Sequence, residues 1–236
     1  MDLNIAKCEI LHMTRKKNKI LRDYSLKGNI LNCVSSYKYL GVEINDKLTW
    51  ASQTSVSAKK GFSALYFVNR CLKNSTKNAR EKAYKTTVLP ILEYGSAIWD
   101  PSNIRDIETI ERVQRKAVRL ITRNFDRSVD TKSLLNENKL IPLAIRRKVN
   151  RLVNLFKCYN DNIGFSEIKV SLKNPNYRGR HDHKFKIEPL QSRKDVSFYS
   201  FLPRTIRDWN SLPESIFVEC NNFKLFRKRL LHLYGS

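Results

Sequence analysis

The residues of this sequence with the clearest capacity for chemistry are cations set in a row along one predicted helix. They recur mostly three or four positions apart and are Arg112, Arg115, Lys116, Arg119 and Arg123. This spacing places side chains on one face of an α-helix, and no acid interrupts the row. Lysine and arginine in such a row suit the phosphates of a nucleic-acid backbone. A solvated basic face with no partner is the alternative interpretation.

The element that positions this row is predicted to be an amphipathic helix from Arg105 to Asn124. Its apolar stripe consists of Ile104, Ile107, Ile110, Val113, Ala117 and Ile121. Acids occupy only its first turns, where they favour the positive end of the helix dipole. A second basic helix is predicted from Leu143 to Tyr159, beginning after Pro142. Its cations are expected on the solvent side and include Arg146, Arg147 and Arg151.

A net charge of +23 dominates the composition, since 45 Lys and Arg stand against 22 Asp and Glu. Such an excess repels itself unless a polyanion neutralises it, and the candidates are DNA, RNA and an anionic membrane surface. Hydrophobic residues make up 41%, too many for a disordered basic tail. No apolar run approaches the ~20 residues of a spanning helix, and Met1 to Arg15 lacks a signal-peptide pattern. We therefore expect a soluble intracellular protein, in the nucleus or the cytoplasm.

Residue types used in catalysis or metal binding are scattered along the chain. Two-metal phosphoryl transfer needs clustered carboxylates, and no Asp-Asp pair occurs. The sequence has no phosphate-binding glycine loop and no nucleophile elbow, and its five cysteines are far apart. His181-Asp182-His183 lacks a fourth ligand nearby, which favours a polar loop over a metal site. We predict no catalytic residue, metal or cofactor, although a constellation of distant residues stays open.

The order of hydrophobic periodicities predicts an α+β fold that is mostly α. The predicted parts are a β portion over 1–50, connected helices over 51–160, a basic loop or arm over 161–197, and a C-terminal helical segment over 198–236. Within the β portion, Lys27-Gly28-Asn29 predicts a hairpin turn. Residues 37–44 predict one strand with Gly41 inside it, as a bulge or a close approach. In the helical part, Pro90 is expected to kink or end the second helix.

A family resemblance begins at Tyr37 to Ile44, which is followed by Leu48-Thr49-Trp50. These strings are similar to the C-terminal part of reverse transcriptases from non-long-terminal-repeat retrotransposons of the jockey-like kind. Further matches follow in the family's order: Leu89 to Gly95 with Ile98 to Pro101, Ile110 to Arg119, Pro142-Leu143 with Arg146-Arg147, and Ser200 to Ile206 with Trp209 to Pro213. Together they span nearly the whole chain.

The resemblance implies a place for each part of the chain in a polymerase. Asn4 to Thr14 resembles the end of the palm, and the helices from Ser52 onward resemble the thumb, which grips a template–primer duplex of RNA and DNA through its backbone. Tyr39, Leu40 and Gly41 resemble the turn that helps to hold the primer end, with plain strand packing as the alternative. For Arg146-Arg147, an internal ion-pairing element is the alternative to nucleic-acid contact.

The sequence also departs from the family. The metal-binding F/Y-A-D-D motif, through which the parent polymerase would use Mg²⁺, has no counterpart here, and neither do the fingers or the endonuclease domain. We therefore expect a truncated element or partial gene product that at most binds nucleic acid. The alternatives are a domesticated nucleic-acid-binding or interaction module and a non-functional remnant. The three tryptophans, Trp50, Trp99 and Trp209, are expected to pack in a core.

Overall fold

The computed structural model confirms a mostly α fold with a small β part. It describes residues 4–14, 16, 18, 20, 22–160, 183–220 and 222–235. Helices account for 56% of the described residues, and the strands are few and short. The predicted loop or arm over 161–197 lies mostly outside the described residues, so only its last part, from His183 onward, can be placed.

Three two-stranded ladders make up the N-terminal β portion. Strands β1 (Glu9–Leu11) and β4 (Asn32–Val34) pair in parallel, β2 (Ser25–Leu26) and β3 (Asn29–Ile30) form a hairpin, and β5 (Ser36–Tyr39) and β6 (Val42–Asn45) form a second hairpin. The turn predicted at Lys27-Gly28-Asn29 is confirmed. Lys27 and Gly28 both take positive φ there, as a two-residue hairpin turn requires.

The single strand predicted over 37–44 is wrong, because the chain reverses in the middle of it. Leu40 and Gly41 adopt φ values of 45° and 83°, and Tyr39 pairs with Val42 across the turn. Positive φ at both central positions gives a tight turn whose twist matches its strands. Alternating side chains look the same in one long strand and in two paired short ones, so the alternation alone could not locate this turn.

Helices form the rest of the described chain. They are α1 (Ala51–Cys71), α2 (Lys77–Ala83), α3 (Leu89–Glu93), α4 (Ile104–Thr122), α5 (Thr131–Glu137), α6 (Leu143–Asn160), α7 (Asp195–Phe198), α8 (Phe201–Asn210) and α9 (Phe223–Gly235). The Thr76 hydroxyl caps α2 and the Asn103 side chain caps α4, by accepting hydrogen bonds from Ala79 N and Arg105 N. Pro90 does not end its helix. A π turn over Tyr84–Val88 connects α2 directly to α3, and Pro90 is the second residue of α3.

A first hydrophobic core lies between α1, α3 and α4. A Cβ placed on Gly61 of α1 would lie 2.6 Å from a methyl group of Leu92 and 3.3 Å from one of Val113. Glycine therefore lets these helices approach closely at the middle of α1. Farther along α1, Asn69 contacts Arg123 at the end of α4, so α1 and α4 run in the same direction.

A second core is aromatic and collects around Trp209 of α8. Its rings include Phe156 of α6, Phe217 from the segment before α9, and Phe226 of α9. Trp209 Nε1 donates to Phe185 O at 2.8 Å. Helix α6 contributes to both cores, with Leu143 in the first and residues from Val149 onward in the second. The expectation that the tryptophans pack is confirmed, since Trp99 and Trp209 are buried and Trp50 packs against the first core. The domain bounds given above stay a prediction.

Candidate nucleic-acid interface

The tip of the β5–β6 hairpin exposes two large side chains on a braced backbone. Tyr39 is 59% exposed and Leu40 is 74% exposed. Tyr94, which follows α3, donates from its hydroxyl to the carbonyl oxygen of Leu40 at 2.8 Å. The ring of Tyr94 also lies 3.2 Å from where a Cβ on Gly41 would stand. The tip thus presents an aromatic ring and an apolar side chain to solvent while its backbone is held from behind.

An open groove of about 360 Å³ runs between this hairpin, α1 and the region of Pro90. Gln53 of α1 ties the hairpin to the helix, because its Oε1 accepts from Glu43 N at 2.8 Å and its Nε2 donates to Ser57 at 3.1 Å. Lys38 and Lys60 line the groove, and neither forms an ion pair with any described residue. Two unpaired cations in a groove, together with an exposed ring on the hairpin that borders it, form a surface suited to an anionic chain that carries stacking bases. We call this surface the hairpin groove.

The first three cations of the α4 row are accessible. Arg112 is exposed, and among the described residues its side chain bonds only to the Thr109 hydroxyl, at 3.3 Å. Arg115 pairs with Glu108 at 2.6 Å in a half-exposed contact, which solvent weakens. The Lys116 ammonium lies 5.9 Å from the centre of the Phe125 ring. These side chains can turn to a phosphate without unfolding any element.

The last two cations of the row, Arg119 and Arg123, form hydrogen bonds to other parts of the protein instead. Arg119 donates to the carbonyl oxygens of Asp126 at 2.7 Å and Val129 at 2.9 Å, which fixes the loop between α4 and α5. Arg123, with a left-handed φ of 57° at the end of α4, donates to Asn69 Oδ1 at 3.0 Å and Lys73 O at 2.8 Å. Spacing placed all five cations on one face, but it could not show which of them find carbonyl partners.

The outward placement predicted for the α6 arginines is wrong for Arg147 and Arg151, which are 1% and 2% exposed. Arg151 bonds to Asp100 at 2.8 Å and to Asp208 at 3.0 Å. A helix packed between two cores buries most of its surface, so its polar face also lies inside. We call Asp100, Arg151, Arg204 and Asp208 the buried ion network, since Arg204 also contacts Asp100 at 3.2 Å.

Arg146 and Arg147 lie on the side of α6 that faces α3. Arg146 makes a two-pronged ion pair with Glu93, with one contact at 3.0 Å. Arg147 donates to Leu92 O at 3.3 Å and lies 5.1 Å from the Trp99 ring centre, and its Nε and Nη1 have no partner among the described residues. Burial lowers the pKa of Arg147 from its ordinary value. Internal ion pairing, the alternative for Arg146-Arg147, is thus confirmed for Arg146.

Glu111 has a structural role that the sequence pattern did not indicate. Its carboxylate lies at the start of α6 and accepts from Ala144 N at 2.8 Å, so an acid of α4 caps the next long helix. Burial raises the pKa of Glu111, and the Ala144 hydrogen bond and the charge of Arg147 oppose that shift. The acids that partner the α6 arginines were missed as well, because Asp100 lies 51 positions from Arg151.

The described part of the chain offers little support for a metal site or a membrane span. Within residues 4–160 and 183–235, where described, no three His, Cys, Asp or Glu side chains converge as metal ligands. His181 and Asp182 lie outside the described residues, and His183 is buried against Phe217. No described helix is long and apolar enough to cross a membrane.

A comparison with known families, curated proteins and solved structures finds no match to this chain. A function must therefore be argued from the residues and their geometry.

Proposed function

We propose that this chain binds the sugar-phosphate backbone of a nucleic-acid duplex without sequence preference, and that its parent is a non-long-terminal-repeat retrotransposon reverse transcriptase. The observation that carries the proposal is the hairpin groove. It is lined by the unpaired cations Lys38 and Lys60, and the hairpin that forms one of its walls exposes the ring of Tyr39 next to its turn. The proposal does not include polymerisation, because the sequence holds no F/Y-A-D-D motif.

Two sets of cations supply the phosphate contacts in this proposal. Lys38 and Lys60 act from the hairpin groove, and Arg112, Arg115 and Lys116 act from α4. Phosphate contacts position a nucleic acid but carry no sequence information, so the expected binding is general and salt-dependent. Arg119, Arg123, Arg147 and Arg151 are removed from the contact set, because their guanidinium groups already hold the fold.

The Tyr39 ring has a separate role in the proposal. An exposed aromatic ring on a rigid turn can stack on the terminal base of a duplex with a recessed 3′ end. Leu40, at the outermost point of the turn, adds apolar contact beside it. This role matches the primer-holding turn implied by the family resemblance.

Replacing Tyr39 with alanine tests the role of the ring. Stacking contributes about 1–3 kcal/mol per base, so we expect Tyr39→Ala to weaken binding to a recessed RNA–DNA duplex by roughly 5- to 150-fold. Fluorescence anisotropy with a labelled duplex measures the effect. The matched control is Tyr199→Ala, which removes an exposed ring beyond α7. Unchanged affinity for Tyr39→Ala, or an equal loss in the control, would count against the proposal.

A further inference from the structure

A second concave site lies away from the hairpin groove, where α6 and α9 meet the turn after α3. It has a volume of about 270 Å³. Its polar lining residues are Glu93, Ser96, Asn150, Asn154, Lys157 and Arg227. The first residue of α9, Phe223, forms part of the wall. We call this the α6–α9 pocket.

The side chains that line the α6–α9 pocket carry a net positive charge. Its one acid, Glu93, is already neutralised by the two-pronged ion pair with Arg146. Lys157 and Arg227 have no carboxylate partner among the described residues. The Lys157 ammonium lies 4.3 Å from the centre of the Phe223 ring, which places it against the wall of the pocket. Two cations thus line one cavity whose single carboxylate is already paired with Arg146.

Neutral donors complete the lining. Asn150 Nδ2 donates to the Ser96 hydroxyl at 3.1 Å, which fixes both groups in the wall. The side chain of Asn154, one turn farther along α6, forms no hydrogen bond with any described residue and has amide hydrogens to donate. Because Phe223 begins α9, the positive end of that helix dipole also lies at the pocket. An ammonium, a guanidinium and a free amide around one small cavity match the oxygens of a phosphate group.

We propose that the α6–α9 pocket binds a phosphate group, through Lys157 and Arg227 with Asn154 as an additional donor. The ligand is free inorganic phosphate or the terminal phosphate of a nucleic-acid strand, which share this chemistry. The site does not depend on the hairpin groove, since the two share no residue.

Titration of the full chain with inorganic phosphate tests this proposal. Chloride is adjusted to hold ionic strength constant, and binding is followed by NMR at the side-chain amide of Asn154. We expect saturable binding, weakened about tenfold or more in Lys157→Gln/Arg227→Gln, because charge-assisted hydrogen bonds are lost. The matched control, Lys224→Gln/Lys228→Gln, removes the same charge from exposed positions of α9 and should retain wild-type affinity. The single variant Lys157→Gln, with an intermediate loss, repeats the test if the double variant does not fold.

The source of the phosphate is decided by a second arm, with strands that carry a 5′-phosphate or a 5′-hydroxyl. Tighter binding of the phosphorylated strand by wild type, lost in Lys157→Gln/Arg227→Gln, assigns the site to a strand terminus. Equal binding of both strands, together with saturable inorganic phosphate binding, assigns it to the free ion. Absence of saturable phosphate binding, or an equal loss in the control variant, overturns the proposal. Neither result alters the binding expected at Lys38 and Lys60.

Discussion

Arg151→Met is expected to lower the free energy of unfolding by about 3–5 kcal/mol, which is the usual effect of breaking a buried ion pair from one side. Arg151 lies inside the protein and bonds to both Asp100 and Asp208. Methionine fills similar space but leaves the buried Asp100 carboxylate with only the contact to Arg204. Denaturant unfolding followed by circular dichroism measures the change.

Two further variants separate this effect from the simple loss of a positive charge. Arg112→Met removes an exposed cation of α4 and should change the free energy of unfolding by less than about 0.5 kcal/mol. Asp100→Asn combined with Arg151→Met should cost less than the sum of the two single changes, because each removes the charge that the other leaves unpaired. Strict additivity, or a loss no larger than that of Arg112→Met, would refute the buried ion network.

Trp209→Ala is expected to destabilise the protein by about 3–5 kcal/mol, through loss of buried surface and the cavity that remains. The indole is packed among Phe156, Phe217 and Phe226, and its N–H bonds to Phe185 O. The change therefore removes ring contacts and leaves a buried carbonyl oxygen without its donor.

The comparison for Trp209→Ala is Trp50→Ala, since Trp50 is only partly buried at the edge of the first core. The smaller buried surface should give a clearly smaller loss in the same denaturant experiment. Equal losses for the two variants would show that Trp209 does not organise the second core as described.

Local patterns in the sequence predicted most of the helices. The apolar stripe of α4 holds Ile110, Val113, Ala117 and Ile121, all of which are buried. Ile104 is exposed because it lies at the first residue of the helix, outside the packed region. Helix α6 spans Leu143–Asn160 where Leu143 to Tyr159 was predicted, because the helical period and a proline just before the helix are both local signals.

Contacts between distant residues could not be predicted in the same way. Arg151 has the residue type and spacing of a solvent-facing cation, and only the fold brings Asp100 and Asp208 to it. Arg119 is similar, since its carbonyl partners lie in a loop with no helical or strand period. The number of cations in the row that can be offered to a phosphate therefore falls from five in the sequence pattern to three in the structure, because Arg119 and Arg123 bond to carbonyl oxygens.

Part of the candidate site was visible in the sequence, and part was not. Tyr39, Leu40 and Gly41 were singled out through the family resemblance. The structure has an exposed turn there, and its contact with a nucleic acid stays a prediction. The contribution of Lys60 was missed, because it lies on α1, 19 positions beyond Gly41, and reaches the hairpin only through the packing that Gln53 fixes. A site built from one hairpin and one helix has no single sequence motif.

The salt dependence of binding to an RNA–DNA duplex is the most direct test of the proposed function. Five phosphate contacts predict that the affinity of the wild-type chain falls by roughly two to three decades between 50 and 200 mM salt, by counterion release. Lys38→Gln/Lys60→Gln should reduce the slope of log affinity against log salt by about two, and Arg112→Gln/Arg115→Gln/Lys116→Gln by about three. A flat salt response of the wild-type chain, or slopes unchanged in both variants, would contradict backbone binding at these two surfaces.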